Sequence, residues 1–424
     1  MSLDYSGRGE PLVPSLLDTD LYKLLMLQLI WRRHRDTPVT FSLVNRTRAV
    51  RLADEVAEAD LRAALDEVRT LRLQPDERRW LESASIYGRP GRFAPEFLDW
   101  LEDLRLPPYR LTFAAGQLEL EFSGPWAEVT LWEIPALTVV TGLRARRAVS
   151  SMSAQERDVL YGCAIGRLEE KARRLQALDG LALTDFGTRR RHSLPWQRLV
   201  VRTMRDRLGP AFRGTSNLLL ARELDLPPVG TNGHELPMVL AALATHDAGL
   251  KQAQYQVLQE WQDLYDGGLR VILPDTFGTA AFLRDAPAWV AEWPALRPDS
   301  SPPIEGGEAV IAWWKSRGQD PRSKTLVFSD ALDIDSIEHI HRHFQGKVGF
   351  SFGWGTKLTN DLEGCAEAPG LHPISLVCKV TEAGGRPAVK LSDNPEKATG
   401  DPAEVARYRR VFGVVGQVRR DVEV

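Results

Sequence analysis

The chain has 424 residues, 43% hydrophobic and 26% charged, a balance that excludes a disordered chain and leaves room for two domains or one large barrel with an appended domain. Its 57 acidic and 54 basic residues give a formal net charge of −3, which argues against a nucleic-acid or membrane-surface partner yet allows a local basic pocket. Three cysteines, Cys163, Cys365 and Cys378, are too few and too scattered for a disulfide framework or a zinc site, so buried thiols in a reducing, cytoplasmic setting are expected.

The opening MSLDYSGRGEPLVPS lacks the apolar core of a signal peptide. The longest apolar runs, 24–31 and 238–244, are too short to cross a bilayer. Residues 18–34 carry apolar positions at helical spacing behind Asp18 or Thr19 as an N-cap, and VTFSLVNRT (39–47) reads as a strand. A charged helical stretch at 52–70 precedes helical segments at 76–84 and 94–104. Two alternating runs within 109–122 flank Ala-Ala-Gly-Gln and predict a hairpin. Apolar 129–149 leads into a long helix at 153–178.

From 181 onward short strands alternate with helices. The strand candidates are 181–186, 211–214, 227–231, 269–275, 294–299, 325–330 and 347–352; helices at 237–247, 249–265, 307–317 and 333–344 separate several of them. Polar groups follow most strand ends, as the mouth of a parallel barrel requires and an open sheet does not. The expected architecture is α/β: an N-terminal α+β domain over 1–150, a distorted TIM-like barrel over 151–400, and a C-terminal helix and tail over 401–424 packing back on the first domain.

The strand-end strings carry phosphate chemistry. FGTRRRHS (186–193) offers guanidinium groups for an anion, and Phe186 for stacking on a planar ring. FRGTSNLLLA (212–221) and FGWGTKLTNDL (352–362) are Gly-Thr turns opening helical segments, where free amides favour phosphate, although neither is a P-loop. Arg297 and Asp299, two apart on an extended segment, project to one side. His339, His341 and His343 alternate, but their segment reads as a helix, and residues two apart on a helix do not share a face. VGTNGHELPM (229–238) leaves the role of His234 open.

Together LLDTDLYKLLM (16–26), DFGTRRR (185–191), GTSN (214–217), GTNGHE (230–235), RPDS (297–300), FSDALD (328–333), FGWGT (352–356) and VKLSDNPEK (389–397) resemble, in order, the motifs of the nicotinate phosphoribosyltransferases. The resemblance runs from about residue 14 to 413. It implies a type II phosphoribosyltransferase fold and the joining of nicotinate to phosphoribosyl pyrophosphate in NAD salvage. Coupled ATP hydrolysis through a phosphohistidine at His234, with Mg²⁺ held mainly by substrate phosphates, is also implied. Homodimeric relatives share their active sites, so the resemblance would bring Tyr22 from a neighbouring subunit to stack opposite Phe186.

On that reading Arg189 and Arg297 hold carboxylate and pyrophosphate, Asp299 and Asp330 anchor ribose hydroxyls or metal, and Gly353, Gly355 and Thr356 cradle the 5′-phosphate. Thr215 and Ser216 contact the substrate. Ser216, where nicotinamide-using relatives carry Asp, favours a carboxylate. Glu235 is a further candidate for Mg²⁺ or for orienting His234. With the scarcity of Cys and no ligands at suitable spacing, His234 itself reads as a phosphoryl carrier rather than a metal ligand. Ser301 stands where relatives carry Gly, which puts that loop's substrate contact in question. Two alternatives stand beside this: a phosphoribosyltransferase for another pyridine acid, and a silent nucleotide-binding homologue.

Overall fold

The protein, as a computed structural model, is described over residues 4–414. Three strands come first: β1 (Pro38–Asn45), β2 (Tyr109–Ala114) and β3 (Gln117–Pro125). Six short strands follow: β4 (Leu183–Asp185), β5 (Phe212–Thr215), β6 (Val271–Ile272), β7 (Ala295–Leu296), β8 (Thr325–Phe328) and β9 (Gly349–Trp354). The last two are β10 (Leu376–Ala383) and β11 (Arg386–Pro387).

The first sheet is antiparallel, in the order β11-β10-β1-β3-β2. Alternation along β1 buries Val39, Phe41 and Leu43, and along β3 it buries Leu118, Leu120 and Phe122. The expected hairpin turns through Ala115 and Gly116, both at positive φ, which suits the twist of a two-residue connection. The helix Leu21–Arg33 is buried over most of its length. Its N-cap is Asp20, and neither Asp18 nor Thr19 caps it. The charged stretch at 52–70 breaks into two helices, Leu52–Glu55 and Glu58–Thr70.

Six of the seven expected barrel strands form, all parallel, in the order β5-β4-β9-β8-β7-β6. The seventh, 227–231, forms one bridge only, Thr215 to Pro228, because Pro227 and Pro228 lack the N–H groups a ladder needs. It still joins the sheet's two ends. Val229 N–H donates to the Thr215 carbonyl at 2.9 Å, and the Asn232 side chain donates to the Val271 carbonyl at 3.1 Å. That irregular segment stands where the expected barrel would need a seventh strand between β5 and β6.

Three sequence expectations change. β10 and β11 lie within 151–400 but belong to the first sheet; β10 pairs with β1 from Val39–Ala383 to Asn45–Leu376, so the domains interleave. The helix Pro402–Phe412 packs Tyr408 and Phe412 on Phe277 and sends Arg407 to Asp247 at 2.9 Å, rather than lying on the N-terminal domain; residues 415–424 lie outside the described residues. Cys163 and Cys365 form a disulfide, their Cα atoms 5.6 Å apart across a sequence separation of 202. That separation hides the pairing from the sequence, and the cysteine argument for a reducing compartment lapses. Only Cys378 is a buried free thiol. Among the described residues, no helix is long and apolar enough to cross a membrane.

Candidate active site

Two cavities meet at the C-terminal ends of the barrel strands. The first is mainly apolar. Tyr22, Met26, Phe186, Ser216, Val271 and Phe352 line it, with Asp20 and Glu133 among its polar lining residues. The second is basic: Arg46, Arg190, Lys357, Lys390 and Lys397 face Asp299 and Asp330, with Gly355 and Thr356 beside them. Phe186, Arg189, His234, Arg297 and Lys379 line both.

Tyr22 reaches the first cavity from the same chain as Phe186. The helix that carries it packs directly on the 230–234 loop: a Cβ added at Gly233 would meet Tyr22 Cε2 at 3.3 Å, and one at Gly230 would meet the Tyr22 backbone N at 3.1 Å. The ring pair therefore needs no second subunit, contrary to the sequence expectation, and Gly233 serves close packing. Gly353 is equally constrained, since a Cβ there would lie 2.2 Å from Phe186 Cδ2 and Cε2. Gly353→Ala is expected to push the Phe186 ring aside, destabilising the fold by about 1–3 kcal/mol and weakening binding of a planar ring. Thermal melts and titration with an aromatic acid read the two effects.

His234 stands at the junction. Its Nδ1 lies 3.0 Å from Thr276 Oγ1 and its Nε2 lies 3.1 Å from Asp299 Oδ2. Enclosure pushes the imidazole down to about 4, against the pull of Asp275 and Asp299, so the ring is neutral near pH 7. Burial works to raise Asp299, yet the His234 hydrogen bond, Arg297 and Lys390 hold it well below the usual carboxylate range. Asp275 is fully buried; its Oδ2 receives Ser300 Oγ at 2.8 Å and Lys390 Nζ at 3.1 Å, while its Oδ1 has no hydrogen-bond partner.

His234, Asp275 and Asp299 thus bring one ligand atom each within 4.8 Å of one another. The sequence excluded metal partners for His234 because these carboxylates lie far along the chain. Two carboxylates with a spare buried oxygen fit a hard divalent cation. Glu235 does not contribute: Trp126 Nε1 donates to it at 2.5 Å and Thr130 Oγ1 at 2.6 Å, and Lys23 pairs with its other oxygen. It anchors the helix Glu235–Leu243 to the first domain, and neither orients His234 nor holds a metal.

Other expected residues sort similarly. Thr215 is buried behind the cavity, donating to Asp185 at 2.7 Å and accepting from Asn217 N–H at 3.1 Å. It braces the turn, while Asn217 caps the following helix by accepting from Leu220 N–H, and only Ser216 of that motif faces the cavity. Asp330 lies in the basic cavity and pairs with Lys397. Ser300 holds φ 59° without being glycine; its bonds from Oγ to Asp275 and from Asp393 N–H at 3.1 Å fix that left-handed turn. The departure at Ser301 is thereby accommodated, because the left-handed position is its neighbour. The alternating histidines hold separate partners: His341 meets the Asp179 carbonyl and His343 meets Glu308.

The residues the sequence reading missed are cations. Lys379 on β10 lines both cavities, and burial, then Lys390 and Arg46, push its amine well below the ordinary lysine range. Burial beside Arg189 pushes Arg190 down to about 10. So many crowded cations demand an anion. VKLSDNPEK, which supplies Lys390 and Lys397, was the available signal.

Comparison with known proteins agrees with this geometry. A sequence model of the nicotinate phosphoribosyltransferase (NAPRTase) family matches residues 181–415, and one of its N-terminal domain matches residues 17–141. The crystal structure of a nicotinate phosphoribosyltransferase from Vibrio cholerae is similar with a TM-score of 0.85 and 30% identity, covering 97% of this chain and 96% of that one. Another, from Porphyromonas gingivalis, gives a TM-score of 0.83 and 28% identity, covering 94% and 99%. The chain belongs to the nicotinate phosphoribosyltransferase family.

Proposed function

We propose that the protein joins nicotinate to phosphoribosyl pyrophosphate, forming nicotinate mononucleotide and pyrophosphate, with ATP hydrolysis coupled through His234. One observation carries this reading: an apolar, aromatic-lined cavity and a strongly basic one share a wall formed by Phe186, Arg189, His234, Arg297 and Lys379. A flat pyridine ring suits the first and a doubly phosphorylated sugar suits the second, so the bond forms where they meet.

In the transfer step the pyridine nitrogen's lone pair bonds to ribose C1. The C1–O bond to pyrophosphate breaks, and pyrophosphate leaves with the electron pair. Tyr22 and Phe186 position the ring, and Arg189 and Arg297 meet negative charge from either side. Lys379, Lys390 and Arg46 stabilise the departing pyrophosphate. Asp299 and Asp330 accept from ribose hydroxyls, and backbone N–H groups at Gly355 and Thr356 meet the 5′-phosphate. Asp275 and Asp299 would hold Mg²⁺, which supplies charge neutralisation to the phosphates when bound.

In the ATP step a neutral His234 has one unprotonated nitrogen. Its lone pair takes the γ-phosphoryl group as the bond to ADP breaks, and water later cleaves the phosphoimidazole. A homodimer is part of this reading through the family, although the ring pair of each site comes from one chain.

The direct test incubates the protein with nicotinate, phosphoribosyl pyrophosphate and Mg²⁺, with and without ATP, beside matched reactions with nicotinamide. Mononucleotide from nicotinate, stimulated by ATP, is expected, and its absence would overturn the proposal. His234→Ala is expected to abolish acid-labile phosphoprotein and ATP stimulation while leaving slow ATP-independent transfer, because the transfer step needs no imidazole. Complete loss at saturating substrate in a folded variant would give His234 a role in transfer itself.

A further inference from the structure

Asp20 lies where a pyridine substituent would be read. Its Oδ1 is 2.6 Å from Ser216 Oγ, both residues are buried, and both line the apolar cavity beside Phe186 and Arg189. The backbone locks the pair together: Leu21 N–H donates to the Ser216 carbonyl at 2.7 Å, and Asp20 bridges Asn217. The two main chains are therefore held side by side, and the side-chain hydrogen bond joins the carboxyl group to the hydroxyl. A single hydrogen occupies the short line between the two oxygens, and the oxygen that owns it decides what Ser216 shows the cavity.

We infer that the Asp20–Ser216 pair selects the exocyclic group of the pyridine, Asp20 acting as a positioning residue whose proton determines whether Ser216 donates to a carboxylate or accepts from a carboxamide. This rests on the nicotinate reading of the cavity. When Asp20 is ionised, Ser216 spends its hydrogen on Asp20. It then offers only lone pairs, above a negative charge that repels a carboxylate. When Asp20 is protonated, it donates to Ser216, whose own hydrogen is free for the carboxylate. The same two side chains thus describe two different receptors.

The groups around Asp20 set which receptor prevails. Burial raises its pKa, opposed by Arg189, by Ser216 and by Thr188, and reinforced by Glu133. Asp185 on β4 also faces it. On its own helix are Tyr22 and Lys23, and the Lys23 amine is committed to Glu133 and Glu235. A carboxylate entering the cavity adds a further negative charge, so it binds together with a proton on Asp20. The sign follows: use of nicotinate falls as pH rises through the Asp20 pKa, and use of nicotinamide does not.

The test measures kcat/KM for nicotinate and nicotinamide from about pH 5 to 9 in the wild type and in Asp20→Asn, whose amide can donate to Ser216 at every pH. In the wild type the nicotinate-to-nicotinamide ratio is expected to fall roughly tenfold or more across this range, since one titrating proton gives up to tenfold per pH unit. In Asp20→Asn the ratio should be flat; a merely structural role would shift both substrates together. Calorimetry of nicotinate binding to the wild type, at a pH where the ratio has already fallen and in two buffers of different ionisation enthalpy, provides the second measurement, and proton uptake is expected there. A constant wild-type ratio, a falling ratio in Asp20→Asn, or binding without proton uptake would each overturn the inference alone. A wild type that forms no mononucleotide from either base would overturn the activity proposed above, and this inference with it.

Discussion

Asp18→Ala is expected to destabilise the fold by about 3–5 kcal/mol, read as a lower urea midpoint at constant m-value. Arg191 and Asp18 are 1% and 0% exposed, and the guanidinium meets both carboxylate oxygens, at 2.7 and 2.6 Å. Gln197 and the Leu12 carbonyl take further guanidinium hydrogens, and Asn217 donates to Asp18 at 2.8 Å. Removing the carboxylate leaves a buried cation without its counter-charge. Replacing both partners with apolar residues, as in Asp18→Leu with Arg191→Met, should recover most of the loss. A single-variant loss below about 1 kcal/mol would mean that Arg191 finds another counter-charge.

Arg297→Ala carries the largest expected effect on activity, a fall in kcat/KM of about 10²–10³-fold, the scale for removing one preorganised donor. Its backbone N–H is tied to the Ile272 carbonyl at 2.8 Å. Its side chain lines both cavities, and its buried Nε has no hydrogen-bond partner, so the guanidinium brings positive charge to the place where a substrate anion would sit. Arg297→Lys should restore only part of the rate, since an ammonium cannot reproduce a planar fork. Steady-state kinetics with both co-substrates varied would check this; a loss under tenfold would remove Arg297 from the transfer step.

Strand periodicity and the residues just past each strand were legible because a barrel gathers those ends at one mouth. Phe186, Arg189, His234, Arg297, Asp299 and Asp330 were all named that way; the first four line both cavities, and Asp299 and Asp330 line the basic one. Thr215 failed because a hydroxyl at a strand end can equally turn inward and brace a turn; nothing in GTSN says which neighbour faces out. Glu235 failed because its partners, Lys23, Trp126 and Thr130, lie more than 100 residues away. Lys379 was invisible for the same reason in reverse. Alternation along β10 places it on one face, but only the pairing of β10 with β1 brings that face over the barrel mouth. Local pattern encodes elements, and contacts between distant elements are what it omits.

The return of β10 to the first sheet has a consequence for synthesis on the ribosome. β1 emerges early, but one of its two neighbours is encoded by residues 376–383, after all six barrel strands. The first sheet therefore waits for nearly the whole polypeptide, exposing an edge of β1 while the barrel is being made. Vectorial folding, with one unit completed before the next appears, is closed to this topology. The N-terminal segment cut from the rest would lack β10, so it should be an aggregation-prone fragment rather than an autonomous unit.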